Sequence, residues 1–145
     1  TVAVLARDYV GSKLRLVVEP GERVRAGQAV MTHRSYPELR LVAPVSGTVA
    51  AVHRGDKRAL QSVVVARNGD EPHTLAAFSP NAGRNRDGAR ALLFESGLWA
   101  VLRTRPFSRM PEPDSAPHSI FVTALDTQPL APNVDVVLHG RDDDF

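Results

Sequence analysis

The chain has 145 residues, of which 43% are hydrophobic and 23% charged, and its formal net charge is +2 at pH 7. This composition lies near the average of globular domains and includes no cysteine, so it excludes a disordered tail, a disulfide framework, thiolate catalysis and iron–sulfur ligation by this sequence. The charge is unevenly distributed along the chain. Residues 1–67 contain eleven Lys and Arg and five Asp and Glu, whereas residues 68–145 contain seven Lys and Arg and eleven Asp and Glu. The basic first half could therefore bind an anionic partner.

The first half of the chain reads as short strands separated by turns. Each apolar run is bounded by Gly, Pro, Asn or Asp, which is the pattern of a small all-β sandwich or barrel. The predicted strands are 2–5, 14–18, 28–31, 39–42, 48–52 and 60–66.

The pattern changes from Asp87 onwards. Apolar residues then recur at helical spacing over residues 91–102, which predicts a helix with Asp87 as its N-cap, or two short helices broken at Gly97. A proline-rich loop follows, and the β-rich run 119–124 predicts a buried strand. A helix, a loop and a buried strand suggest the start of an α/β domain.

These patterns predict two domains, a β domain over residues 1–78 and an incomplete α/β domain over residues 79–145. The chain begins at Thr1 rather than Met, and it ends on an acidic run, 142–144, of the kind that begins a helix. We therefore interpret the sequence as a fragment of a longer protein.

Two stretches of the β half look alike. Residues 21–30 follow the pattern Gly-acid-x-Val-x-x-Gly-x-x-apolar, residues 55–64 echo it, and Ala-Pro-Val-Ser-Gly lies between them at 43–47. This arrangement resembles the biotinyl/lipoyl-type barrel-sandwich hybrid, in which glycines occupy turns that need positive φ. Carriers of that type hold their cofactor on a lysine of the hairpin between the two units. Residues 31–40 contain no lysine, which disfavours a carrier.

A longer resemblance covers nearly the whole chain, from about Val4 to Val137. Residues 55–64, 91–108 and 120–131 closely resemble the NqrA family, the A-type component of the bacterial sodium-translocating NADH:quinone reductase. This resemblance implies a peripheral subunit on the cytoplasmic face of the bacterial inner membrane, within a complex that reduces ubiquinone with NADH and exports sodium. It also implies a subunit without cofactors, with FAD, FMN, riboflavin and iron–sulfur centres in the partner subunits, and with a link to ubiquinone binding or the final quinone-reduction step.

The second domain, by the same resemblance, is related to the flavin-binding domain of complex I. There a glycine-rich loop follows a Glu-Ser-Gly motif and lets backbone amides approach the flavin phosphate. Here Glu95-Ser96-Gly97 is followed by bulky residues, among them Trp99 and Leu102, with no further glycine before Gly140. We therefore predict no flavin site in this chain.

The candidate site is a cluster of four residues at the end of the helical segment. Arg103 and Arg105 could donate hydrogen bonds to quinone carbonyls or to a partner subunit, and the quinone ring could stack on Phe107 or Trp99. The structural alternative is that the arginines satisfy the terminal carbonyls of the helix and Phe107 packs in the core. The sequence indicates no catalytic residue, no nucleotide motif and no metal-ligand spacing among its five histidines.

Two other function classes stay open at this level. One is a biotinyl/lipoyl-like scaffold or carrier without the modified lysine. The other is a nucleic-acid-binding barrel that uses the arginine-rich first half. Tyr9 and Tyr36 are the aromatic residues of that half, so platforms for base stacking are scarce and we do not expect a nucleic-acid partner.

Overall fold

The computed structural model describes residues 1–68, 82–123, 129–133, 135–136 and 139–140, and it divides into two compact units, Thr1–Asp114 and Ser115–Phe145. The described residues of the first unit form seven strands and one α-helix. The elements are β1 (Val2–Leu5), β2 (Leu14–Leu16), β3 (Arg23–Val24), β4 (Ala29–His33), β5 (Arg40–Val42), β6 (Gly47–Arg54), β7 (Leu60–Arg67) and α1 (Arg86–Glu95).

The strands form two antiparallel sheets. One sheet has the order β1-β7-β6-β3 and the other has the order β2-β4-β5. Alternate residues of both sheets turn inwards and share one hydrophobic core, because successive side chains of a strand point to opposite faces. Its fully buried members include Val24, Val30, Met31, Leu41 and Val63.

All six strands predicted from the sequence are present, with ends shifted by a few residues. Two-residue β3 was not predicted, because a strand this short carries no alternation to read. It is fixed by pairing with the start of β6, where Arg23 lies opposite Thr48 and Val24 opposite Gly47. The fold is therefore the predicted barrel-sandwich arrangement with one additional edge strand.

The glycines of the two similar stretches behave differently. Gly21 and Gly27 have φ of 88° and 85°, so the predicted need for positive φ is confirmed there. Gly55 has φ of −98°, and the positive φ values of the second stretch fall on Lys57 and Arg58 instead, at 51° and 61°. In the second turn, the residues with positive φ thus lie two and three positions after the glycine.

The helical segment is the broken alternative of the two that the sequence allowed. Helix α1 begins two residues earlier than predicted, because the side chain of Asn85 and not Asp87 caps it and accepts a hydrogen bond from the Gly88 amide at 2.7 Å. Gly97 then adopts φ of 75°, and a 3₁₀ turn follows at Leu98–Val101. None of the helices in the described part of the chain has the length and apolar character needed to cross a bilayer.

The strand predicted at 119–124 is not found in the second unit. Residues 119–123 are not strand, residue 124 lies outside the described residues, and Ile120, Phe121 and Val122 are 71%, 81% and 89% exposed. A buried strand needs a hydrogen-bonded neighbour and a layer that covers its side chains, and the described residues of the second unit supply neither.

Candidate functional site

Trp99, the first residue of the predicted cluster, belongs to the interior. Its side chain is 7% exposed, its ring lies 4.7 Å from that of Phe94, and its indole N–H donates to the carbonyl of Pro111 at 2.9 Å. The left-handed Gly97 turns the chain sharply enough to direct Trp99 inwards. This side chain therefore holds the loop at Pro111 against the helical segment.

Arg103 lies at the end of the 3₁₀ turn and bonds to backbone carbonyls. Its guanidinium donates to the carbonyls of Ala100 and Leu102 and reaches that of Asp8 at 3.4 Å. It also lies 5.4 Å from the centre of the Tyr9 ring. Burial raises the pKa of the Tyr9 hydroxyl, and the positive charge of Arg103 opposes that rise. Arg103 thus bonds to backbone carbonyls, as the structural alternative expected of both arginines.

Arg105 and Phe107 lie on the surface, in the turn 104–109. Two backbone bonds close this turn, from the Ser108 amide to the Thr104 carbonyl and from the Thr104 amide to the Arg109 carbonyl, each 2.8 Å long. Phe107 is 71% exposed, so it does not pack in the core as the structural alternative expected. The guanidinium of Arg109 lies 5.8 Å from the Phe107 ring. Of the four predicted residues, Trp99 is therefore buried and Arg103 is exposed but bonded to backbone carbonyls, whereas Arg105 and Phe107 form an exposed pair.

A cleft of about 290 Å³ lies beside this turn and was missed by the sequence analysis. We call it the Tyr36 cleft. Residues 10–13, the hairpin residues His33, Ser35, Tyr36 and Leu39, and residues 109–112 line it. These segments are far apart along the chain, so no motif spacing could have indicated the cleft.

The Tyr36 cleft combines an aromatic stack with charged groups. The rings of His33 and Tyr36 stack with their centres 5.2 Å apart and their planes 25° from parallel. The negative charge of Glu112, which also accepts a hydrogen bond from the Tyr36 hydroxyl, raises the pKa of that hydroxyl. Lys13 and Arg109 supply cationic donors. Such a cleft suits a small planar molecule that carries carbonyl or carboxylate oxygens.

Arg109 connects the Tyr36 cleft with the exposed turn 104–109, since it lines the cleft and its guanidinium lies over the ring of Phe107.

Among the described residues, no group of three or more His, Asp or Glu side chains lies close enough together to hold a metal ion. The hairpin between β4 and β5, residues 34–39, has no lysine to which biotin or lipoate could be attached. The side chains of this site can therefore bind a ligand by hydrogen bonds, by charge and by ring stacking.

Comparison with known proteins identifies both halves of the chain. Residues 1–68 match the family model described as the NqrA N-terminal barrel-sandwich hybrid domain, and residues 84–145 match that of the NqrA second alpha/beta domain.

Curated relatives are similar over the full length of this chain. The NqrA protein of the Na(+)-translocating NADH-quinone reductase from Pseudomonas aeruginosa (strain UCBPP-PA14) is 46% identical over 147 residues, which cover 100% of this chain and 33% of that protein. The proteins of the same name from Neisseria meningitidis serogroup A and from Marinomonas sp. are 43% and 41% identical, over 99% and 100% of this chain. The chain spans about a third of the length of these relatives. It belongs to the NqrA family of Na(+)-translocating NADH-quinone reductase subunits.

Proposed function

We propose that this chain acts within a peripheral subunit of a Na⁺-translocating NADH:ubiquinone reductase, the complex that couples quinone reduction by NADH to sodium export. The observation that carries this proposal is the match of both halves of the chain, in order, to the domains of one family. The names of the relatives support the same assignment. The other subunits of that complex are then its partners, at the cytoplasmic face of the bacterial inner membrane.

The electron-transfer cofactors of the complex belong, in this proposal, to the partner subunits. Hydride and one-electron transfer need a cofactor, because protein side chains cannot perform them alone. FAD, FMN, riboflavin and iron–sulfur centres would lie outside this chain. The chain's own contribution is to bind and orient. Purified alone, it should be colourless, have the mass of the unmodified polypeptide and fail to oxidise NADH with any quinone.

The exposed pair Arg105 and Phe107 is the part of the predicted cluster that can contact a quinone. A quinone ring can stack on the open face of Phe107, and the guanidinium of Arg105 can donate to a ring carbonyl. Within the described residues, Arg105 makes no side-chain hydrogen bond that would compete for these donors. Trp99 and Arg103 would act as positioning residues that hold the turn in place.

The test begins with co-purification from bacterial membranes. A tagged form of the protein that contains this sequence should bring down a flavin-containing complex that reduces ubiquinone with NADH. If no such complex is recovered, the proposed function is overturned.

The quinone contact is tested separately in the recovered complex. Replacing Arg105→Gln should raise the KM for ubiquinone about tenfold, since a hydrogen bond from a charged group contributes about 1.5–3 kcal/mol. The matched control is Arg84→Gln, which removes an exposed arginine from another part of the chain. An unchanged KM in Arg105→Gln would remove the quinone contact and leave the membership of the complex standing.

A further inference from the structure

A second and larger groove, of about 870 Å³, lies at the open edge of the three-stranded sheet. We call it the basic groove. Its lining includes Arg7, Lys13, Arg15 and Arg34. All three residues of β2 line it, although their side chains alternate between the faces of the sheet, so the groove follows the edge of the strand. On that edge β2 has no partner strand among the described residues.

The turn between β6 and β7 also lines the groove, to which it contributes Arg54, Lys57 and Arg58. The guanidinium of Arg54 donates a hydrogen bond to the carbonyl of Arg58 at 3.2 Å, which stabilises the turn. Lys57 and Arg58 both have positive φ, as in a type I′ turn, where Asn and Gly are favoured. Long cationic side chains therefore occupy two positions whose backbone conformation disfavours them.

The groove concentrates charge of one sign. Of the sixteen described residues that line it, seven are Lys or Arg and none is Asp or Glu. All seven cationic side chains are exposed, and none forms an ion pair with a carboxylate of the described residues. Like charges along a concave surface raise the local potential and attract an anionic partner. The groove therefore favours an occupant that brings several negative charges.

The lining also selects among anionic partners. The half-buried side chains of Leu5, Leu14, Leu16 and Leu60 form apolar patches between the charges. No aromatic residue is among the described lining residues, so bases of a nucleic acid find no stacking platform. The surface is concave, whereas the headgroups of a bilayer form a flat layer. An extended peptide that alternates acidic and apolar side chains matches the groove and the open strand edge.

We propose that the basic groove binds an acidic, extended segment of a partner protein, laid along the free edge of β2. Backbone hydrogen bonds to β2 would supply part of the affinity. The cationic walls would contact the carboxylates, and the leucines would cover alternate apolar side chains. This inference concerns the 145-residue chain itself and does not depend on the quinone contact proposed above.

The test measures binding of a fluorescent peptide of alternating glutamate and valine to the 145-residue chain by anisotropy, at low and at physiological salt. In the key variant, Lys57→Asn is combined with Arg58→Gly, which removes two charges while giving the turn the residues it favours, so the fold should be retained or stabilised. The control combines Arg23→Gln with Arg84→Gln, which removes two exposed charges outside the groove.

We expect saturable binding that weakens with salt, a loss of about fivefold to tenfold in affinity in the turn variant, and little change in the control. A peptide of alternating lysine and valine should not bind. Three results would each overturn the proposal: no binding of the acidic peptide, equal losses in both variants, or binding only to anionic lipid vesicles or to single-stranded DNA under the same conditions.

Discussion

Arg103 and Arg105 are two residues apart, yet the structure assigns them opposite roles. Arg103 donates to three backbone carbonyls and lies over Tyr9, whereas Arg105 is exposed in the turn 104–109. We expect Arg103→Met to destabilise the fold and Arg105→Met to leave its stability unchanged. Methionine keeps an apolar stem and removes only the charge and the donors, so the comparison isolates the polar contacts.

The magnitude follows from the contacts of Arg103. A hydrogen bond from a charged donor contributes about 1.5–3 kcal/mol when it is protected from water, and an exposed cation–aromatic contact adds about 0.5–1 kcal/mol. Because the guanidinium of Arg103 is exposed, water competes for its contacts and reduces their contribution to stability. We therefore expect Arg103→Met to lower the free energy of unfolding by about 2 kcal/mol. For a chain of this size the melting temperature should fall by about 6 °C. Arg105→Met should shift it by no more than about 1 °C.

A spectroscopic measurement separates this explanation from general damage to the fold. The positive charge of Arg103 lowers the pKa of Tyr9 against the effect of burial, so its removal should raise that pKa further. The chain has two tyrosines, and their ionisation is followed by tyrosinate absorbance. Equal melting temperatures for the two variants, or a Tyr9 titration that does not move in Arg103→Met, would refute the bonding pattern described for Arg103.

Three further predictions follow from the fold. A Cβ at Gly47 would lie 2.0 Å from the Ala66 carbonyl oxygen, so Gly47→Ala must push β6 away from β7. Chemical denaturation should show a free energy of unfolding that is lower by about 3 kcal/mol or more. Gly21→Ala, with open space but φ of 88°, should cost only about 1–2 kcal/mol. The pKa of both tyrosines is raised in the fold, so stability should be full below about pH 10 and should fall as the pH rises further. Glu112→Gln should let Tyr36 titrate at lower pH. Trp99→Phe keeps the ring packing but loses the indole bond, and thermal unfolding should show a loss of about 1–2 kcal/mol.

Each of these has a result that would contradict it. Equal losses of unfolding free energy in Gly47→Ala and Gly21→Ala would mean that β6 and β7 do not approach as closely as described. An unchanged Tyr36 titration in Glu112→Gln would remove the carboxylate from the vicinity of the hydroxyl. A fully stable Trp99→Phe variant would show that the indole N–H contributes nothing to holding the loop.

The resemblance read from the sequence predicted the family, and the comparisons confirm it. Hydrophobic alternation and turn residues also located six of the seven strands that the described residues form. These features are local, because a strand's period of two and the turn preference of Gly and Pro act over a few neighbouring residues. The predicted buried strand at 119–124 is not found, because burial depends on neighbours that a local apolar run does not specify.

The sequence alone determined the barrel-sandwich class, the lack of lysine in the hairpin and the excess of arginine in the first half. Only the tertiary structure decided which arginine bonds to carbonyls, that Phe107 is exposed while Trp99 is buried, and that His33 and Tyr36 meet Glu112 across one cleft. It also gathered seven cations from four separate segments into the basic groove. Such proximity depends on strand pairing and packing between distant residues, and the order of residues in a local window does not contain that information.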